Sequence, residues 1–355
     1  MSRLPPEERE RERSRDIPYE YSLNALSRIF FETGTRQGWI EDGGGQEGPV
    51  VLAVSGGGDS MALLWLFRTF YEGKIIVAHL EHGIRGEASQ EDASFVQEAA
   101  QCWGLESEVR HVDVPGLLER GESLEMGARR LRHAFLESVA RKRGAWGVAL
   151  GHNKEDVAET VLFNLLRGAG VRGVAGIPEQ RGIFFRPLLH CSRDFLRAIL
   201  RCRGISWRED QSNANEVHTR NFLRNQLIPL VEKKLNAKAV DHLVAFAEEM
   251  GYYRREEESY GTALLEAVIV CDTHKKTGND EKSGNLDREK VRALSLRERV
   301  LLVRAMGRRL EIPTLSRERG EKLAFLMGGK KRFEFQWNGR LSVLGSRDRI
   351  NWVWR

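Results

Sequence analysis

The chain has 355 residues, with 56 Lys plus Arg against 51 Asp plus Glu, a formal net charge of +5. At about 150 residues per domain, that length predicts two domains with room for a small third piece. No apolar run approaches the roughly 20 residues of a membrane span, the charged opening stretch MSRLPPEERERERSRD lacks the apolar centre of a leader, and Cys102, Cys191, Cys202 and Cys271 include no Cys-x-x-Cys pair. A cytoplasmic protein with neither a disulfide framework nor a cysteine metal site is expected.

Residues 1–17 read as a disordered charged extension. From Pro49 onward, short β-branched runs alternate with segments of helical period. PVVLAV precedes MALLWLFRTF, KIIVAHL precedes EDASFVQEAAQCWG, SEVRHVDV precedes SLEMGARRLRHAFLESVARKRG, and AWGVALGH precedes EDVAETVLFNLLRG. Four such units predict an α/β fold, a parallel sheet with helices on both faces. Ligands of these sheets sit at the carboxyl ends of the strands. One rim therefore gathers the glycine stretch after Val54, HLEHGIR after Ala78 and GHNKED after Leu150.

A glycine-rich connection, GAGVRGVAGIP, leads to FFRPLL and a helix opened by Ser192. An amphipathic helix is expected after about Thr219, and beyond Leu235 the pattern is helical without strand signal. The polar tract THKKTGNDEKSGN reads as a linker or exposed loop, and residues 331–355 alternate around Asn-Gly and Gly-Ser, which predicts a small antiparallel sheet. The expected domains are an α/β unit over 18–232, a mainly helical unit over 233–328 and a terminal β element over 329–355. Basic residues gather at Arg129 to Arg143, Arg181 to Arg203 and Arg292 to Arg309, as polyanion-binding strips or as solvated helix faces.

The turn from the first strand into its helix is Ser55, Gly56, Gly57, Gly58, Asp59, Ser60. It lacks the lysine of a Walker loop, and a Gly-x-Gly-x-x-Gly count places Met61 where the last glycine belongs. A plain tight turn explains one or two glycines but not the whole hexapeptide. Backbone amides crowded at a helix N-terminus suit a phosphate. Asp59 gains nothing by facing a bare phosphate, so a bridging Mg2+ is expected there, the alternative being a helix N-terminal carboxylate.

The hexapeptide resembles the pyrophosphate-binding PP-loop of the N-type ATP pyrophosphatases, Ser-Gly-Gly-x-Asp-Ser. That resemblance implies ATP as substrate, cleaved between its α and β phosphates, with the loop embracing the departing pyrophosphate. Five further stretches follow in order: HLEHGIRGEASQEDASFV, SLEMGARRLRHAFL, GHNKEDVAETVLFNLLRGAGVRGVAGI, RPLL and WREDQSNANEVHTRNFLRNQLIPLV. Together, over about Pro49 to Val231, they resemble the tRNA(Ile)-lysidine synthetases, most specifically in the last stretch, with Asp210, Ser212, Asn213, Arg220, Asn221 and Arg224.

The resemblance implies that the wobble cytidine of a tRNA(Ile) with anticodon CAU is adenylated at O2, and that the ε-amine of L-lysine then attacks C2 and expels AMP. Asp156 and Glu159, three apart in a helical segment, share a face and would hold the ammonium groups of lysine; a solvated acidic face is the alternative. A carboxylate beside the ε-amine favours its charged form, so one of the two must accept the proton or bind only the α-amino end. Arg220 suits the lysine carboxylate through its planar fork. Arg224, one turn on, would touch the tRNA backbone or the same site.

Arg129 and Arg132, after Glu125, resemble a Glu-x-x-x-Arg-x-x-Arg element and would neutralise the α-phosphate. His152 ends a strand beside the proposed nucleotide; His79 ends the second strand, with Arg85 after it. Catalysis is thus expected from Asp59, Arg129, Arg132, His152 and Asp156. Where the family has His-His-x-Asp-Asp-Gln-x-Glu-Thr, this chain has His152, Asn153, Lys154, Glu155, Asp156, Val157, Ala158, Glu159, Thr160, so Asn153 and Val157 alter the nucleotide contacts. A tRNA thiolase of the same superfamily would need paired cysteines, and a non-catalytic nucleotide- or RNA-binding protein would need no lysine site. A helical, basic second half fits tRNA better than a small amide substrate.

Overall fold

β-branched tetrads with both faces apolar, VVLA and GVAL among them, pair as buried parallel strands, and helices of 3.6 period cover them. The computed structural model describes residues 18–41, 44–45, 48–83, 87–209, 219–272, 284–339 and 341–354. The 1–17 extension, Arg85, Asp210, Ser212, Asn213 and most of the polar tract, 273–283, lie outside the described residues. The chain divides into two units, meeting between Glu249 and Met250. No helix among the described residues is long and apolar enough to cross a membrane.

In the first unit, α1 (Leu23–Gln37) precedes β1 (Val50–Ala53), α2 (Gly58–Phe70), β2 (Ile75–Glu81), α3 (Glu87–Cys102), β3 (Glu106–His111), α4 (Leu124–Arg143), β4 (Gly147–Leu150) and α5 (Lys154–Leu166). A hairpin of β5 (Gln180–Arg181) and β6 (Phe184–Phe185) leads to α6 (Arg193–Arg203). The helical run over 219–234, α7, is α-helical at Thr219–Phe222 and Ile228–Lys234 and π-helical at Leu223–Leu227 between them. α8 spans Ala239–Val268.

The sheet order is β3-β2-β1-β4-β6-β5, parallel except for the β5/β6 hairpin. Val50 stands level with Ile75 on one side and Gly147 on the other. The chain builds outward from β1 through β2 to β3, then returns to place β4 on the opposite flank. That reversal opens a crevice beyond the carboxyl ends of β1 and β4. Alternate residues split the core: Val50 and Leu52 pack with Phe30, Trp65, Phe67 and Ile199, while Val51 packs with Phe135, Leu136 and Val139 of α4.

The second unit corrects the expected division of the chain. β7 (Ile269–Asp272) and β8 (Gly284–Asp287) are strands where none was expected, and α9 (Arg288–Ala293), α10 (Leu296–Arg309) and α11 (Arg317–Gly328) follow. With β9 (Phe333–Gln336), β10 (Leu341–Gly345) and β11 (Arg349–Trp354) they form an antiparallel five-stranded sheet, β9-β10-β11-β8-β7. Leu302, Met306, Leu323 and Met327 of the helices share one core with Trp337, Leu341, Ile350 and Trp352. Residues 329–355 therefore do not stand apart from the helices before them. The division also falls within α8 rather than at 232/233, because Val240, Val244 and Ala247 bury against Val157 and Val161 of α5.

Candidate active site

The glycine loop joins β1 to α2 at the crevice. Gly56 has φ +89°, a conformation that strains any residue with a side chain, and a Cβ there would make a tight 3.3 Å contact with the Phe95 ring. The Ser60 hydroxyl accepts from the Ser55 amide at 3.1 Å and donates to the Gly57 carbonyl at 2.9 Å, which fixes the loop from within. Gly57, the N-cap of α2, brings no capping side chain, so the first amides of that helix face the crevice without one and suit an anion. The loop is latched from outside: the Arg208 amide donates to the Gly56 carbonyl at 2.9 Å, and its guanidinium pairs with Glu91 and Asp92 of α3 at 2.7 Å each.

Gly151, at the end of β4, lets the two sides of the crevice meet. A Cβ there would lie 3.3 Å from the backbone of Ser60. This approach brings Asp59 to the N-terminus of α5, where the fully buried Asn153 caps the helix and donates from Nδ2 to Asp59 Oδ2 at 2.9 Å. The Asp156 carboxylate completes the capping box by accepting from the Asn153 amide at 3.0 Å. Arg224, from the π turn, donates to both Glu159 oxygens at 2.6 and 3.0 Å and to Asp156 at 2.8 Å. Arg193 adds a second cation, 3.6 Å from Glu159, 3.8 Å from Asp156 and 3.9 Å from Asp59. Its own amide donates to Glu155 at 2.9 Å, which anchors α6 to α5.

Burial dominates the ionisation of these groups. It raises Asp59 to about 6, with Arg193 pulling the other way and Asp156 adding to the rise. Asp59 Oδ1 is buried with no hydrogen-bond partner. Burial also raises Glu159 against the opposing pull of Arg224. His152 is lowered to about 4 by burial, with Arg186, Arg132 and Arg129 reinforcing and Asp156 opposing, and its Nδ1 has no partner. His79 is lowered by burial while its Nδ1 lies 2.8 Å from the Val54 carbonyl.

A cavity of about 650 Å3 occupies the crevice. Of the residues expected at the nucleotide, Ser55, Gly57, Gly58, Asp59, Ser60, His79, Arg132 and His152 line it, and Arg224 lines it too. Two expectations need correction. Arg220, expected at the lysine carboxylate, lies in the α-helical first turn of α7 with its guanidinium 3.7 Å from Glu125 and over the Phe163 ring, whereas Arg224, expected at the tRNA backbone or the same site, is the one that meets the acidic pair. Arg129 does not accompany Arg132: it projects from another side of α4 into a different cavity.

Sequence reasoning placed Asn153 at the nucleotide but missed its bond to Asp59, and it missed Arg193, Arg197 and Arg208 altogether. The Asn-x-x-Asp spacing of Asn153 and Asp156 is a legible capping signal, whereas Arg193, Arg197 and Arg208 reach the crevice only through the tertiary fold.

A glycine loop opening a helix at a sheet reversal, with an aspartate held in its first turn, defines a PP-loop nucleotide-binding protein. Residues 36–231 match the PP-loop domain family. A tRNA(Ile)-lysidine synthase from Chlorobaculum tepidum is 36% identical over 281 residues, 78% of this chain and 81% of that protein. One from Thermus thermophilus is 44% identical over 225 residues, 63% of this chain but 43% of its own length, so the match spans less than half of that relative. The chain belongs to the tRNA(Ile)-lysidine synthase family. Its fold is also similar to that of the U34-tRNA thiolase NcsA from Methanococcus maripaludis with its 4Fe-4S cluster, at a TM-score of 0.53 and 17% identity over 65% of this chain and 80% of that one.

Proposed function

We propose that this chain ligates L-lysine to C2 of the wobble cytidine in a tRNA(Ile) with anticodon CAU, through an O2-adenylated cytidine, releasing AMP and pyrophosphate. The observation that carries this reading is the Asp59–Asn153–Asp156 connection, which ties the nucleotide loop to an acidic pair on one face of α5, the half-buried Asp156 and the buried Glu159. Arg224 and Arg193 face the pair in this structure, and the ammonium groups of a second substrate suit the same two carboxylates.

The loop amides and the α2 N-terminus receive the departing pyrophosphate, where charge grows as the bond to the α-phosphate breaks. Arg132, lining the same cavity, offsets charge at the α-phosphate. His152, kept neutral by burial, orients nucleotide oxygens through hydrogen bonds without adding a charge. Lysine is drawn by Asp156 and Glu159, with Arg224 moving from the pair to the lysine carboxylate, for which its fork is suited. As the amine attacks C2 it sheds a proton, and Glu159, its proton affinity raised by burial, accepts it.

Mg2+ fits Asp59: Oδ1 is a buried oxygen without a partner. No set of three or more His, Cys, Asp or Glu among the described residues is arranged to hold a metal, so the ion would share Asp59 with the phosphates of ATP, the usual manner of Mg2+. Bound there, it would offset phosphate charge.

No described cysteine lines the cavity, and desolvation pushes the half-buried Cys191 thiol up to about 11, which does not favour it as a sulfur carrier. The test is incubation with ATP, Mg2+, labelled lysine and tRNA(Ile) bearing CAU. RNA-bound label supports the ligase, and sulfur incorporation without lysine label would transfer the chain to the thiolases.

A further inference from the structure

A second cavity, about 900 Å3, opens between α4 and the β5–β6 hairpin. Arg129 and His133 of α4 line it from one side, and Arg181, Phe184 and Arg186 from the other. Glu122 and Glu137 line it as well, but its arginines outnumber them. Arg130 is taken up by Glu122 at 2.7 Å, but no carboxylate among the described residues stands at ion-pair distance from Arg129, Arg181 or Arg186.

Arg186 is 3% exposed. One of its nitrogens, Nη1, donates to the Pro178 carbonyl at 2.8 Å, and its Nε is buried with no partner. Burial and the nearby Arg129 and Arg181 pull it down to about 10, and burial, with the same arginines reinforcing, depresses His133. Guanidinium groups that repel one another around a buried cation are stabilised by an anion between them. The neighbouring surface is suited to a nucleobase: the His133 and Phe184 rings lie 4.5 Å apart, and Met126 is exposed at the rim. Unstacked bases of single-stranded RNA pack on surfaces of this kind.

The position connects the cavity to the chemistry. Arg129 and Arg132 are three residues apart on α4, and each lines a different one of the two cavities. We propose that the second cavity is a phosphodiester-binding subsite, in which Arg129, Arg181 and Arg186 take phosphate oxygens of the RNA strand beside the reacting nucleotide. This rests on the reading of RNA as the substrate, and it gives Arg129 an RNA-positioning role in place of the α-phosphate role expected from the sequence.

The experiment uses the full chain with Arg129→Gln, Arg181→Gln and the double variant; both residues are exposed, and thermal melts of each variant check that it folds as the wild type does. A fluorescent anticodon stem-loop of tRNA(Ile) is titrated across a salt series, and ATP binding is measured in parallel. Each single variant should weaken RNA binding several-fold and the double by about tenfold or more, with the slope of log K against log salt falling by about 0.7–0.9 per lost phosphate contact. ATP affinity should stay within about twofold of wild type.

Unchanged RNA affinity and slope in the double variant would overturn the proposal, as would a wild type that does not bind the stem-loop. A parallel loss of ATP affinity would also overturn it, by making the cavity part of the nucleotide site. Lysine incorporation by the wild type separates the two readings. A wild type that incorporates lysine while its variants bind RNA normally refutes the subsite alone, and a wild type that incorporates none refutes the ligase reading whatever the variants show.

Discussion

Asp59→Asn tests whether the loop aspartate is held at a cost to the fold. In the folded chain its carboxyl is raised from the ordinary 3.8 to about 6, chiefly by burial. At 1.36 kcal/mol per tenfold in proton affinity, ionising it there costs about 3 kcal/mol at neutral pH. The amide removes that cost and keeps an oxygen for Asn153 Nδ2, but it places an N–H where Oδ1 has no partner, which takes back roughly 1–2 kcal/mol. The net expectation is a variant more stable than the wild type by about 1–2 kcal/mol at pH 7.5, seen as a rise of a few degrees in the melting of the first unit.

The pH dependence is cleaner, because the amide penalty does not titrate. The folded-state value lies above the unfolded one, so the folded wild type binds the proton more tightly and loses stability, relative to the variant, as pH rises through the window from 3.8 to about 6. Urea melts should show the gap widening by about 2 kcal/mol between about pH 4.5 and 7.5. Saturating Mg2+ and ATP should reverse the order, since only the wild type gains the full binding energy, and pyrophosphate release should fall by about a hundredfold or more in the variant. A stability gap that does not change with pH would refute the reasoning.

Glu159→Gln removes one charged partner of the ammonium and should raise the lysine KM by about 10- to 150-fold, the equivalent of 1.5–3 kcal/mol, with the ATP KM nearly unchanged; parallel shifts in both would take Glu159 out of the amino-acid site. Histidine NMR should find the His152 imidazole neutral down to about pH 5, given its depression to about 4, and titration near the ordinary 6.5 would contradict its enclosure. Gly56→Ala forces a Cβ into φ +89° beside Phe95 and should cost about 1–3 kcal/mol together with ATP binding. Gly58→Ala meets Trp207 at an ordinary 3.5 Å and should cost little stability; thermal melts that cannot tell the two apart would count against the loop geometry.

What was legible in the sequence is what depends on local period. The parallel sheet follows from VVLA, IIVAHL and GVAL, whose apolar residues leave neither face to solvent. Asp156 and Glu159 fall on one face of α5 because helical spacing alone puts them there. The strands β7 and β8 escaped notice because IVCD and GNLD are four residues each, and the second opens in a polar tract whose composition reads as a loop. Only pairing with β11 and burial of Leu286 make a strand of it.

The arginines show why composition and spacing do not assign a cation to its partner. Arg220 and Arg224 are one turn apart in an amphipathic run, and in an uninterrupted α-helix they would share a face. The change from α to π winding begins between them, at Leu223, and π turns of this kind concentrate at functional sites. The two guanidinium groups accordingly serve different neighbours: Arg220 stands exposed beside Glu125, and Arg224 holds the acidic pair. On α4 the same ambiguity arises with regular winding. Residues 129 and 132 are close enough in projection to share a site, but the crevice and the hairpin cavity meet along that stretch of the helix, so a rotation of about 60° sends one to each. A periodicity argument resolves buried from exposed, and these pairs differ only in which of two polar cavities they enter. That distinction is set by where other segments pack, and for Arg224 by Asp156 and Glu159, more than sixty residues away in the chain.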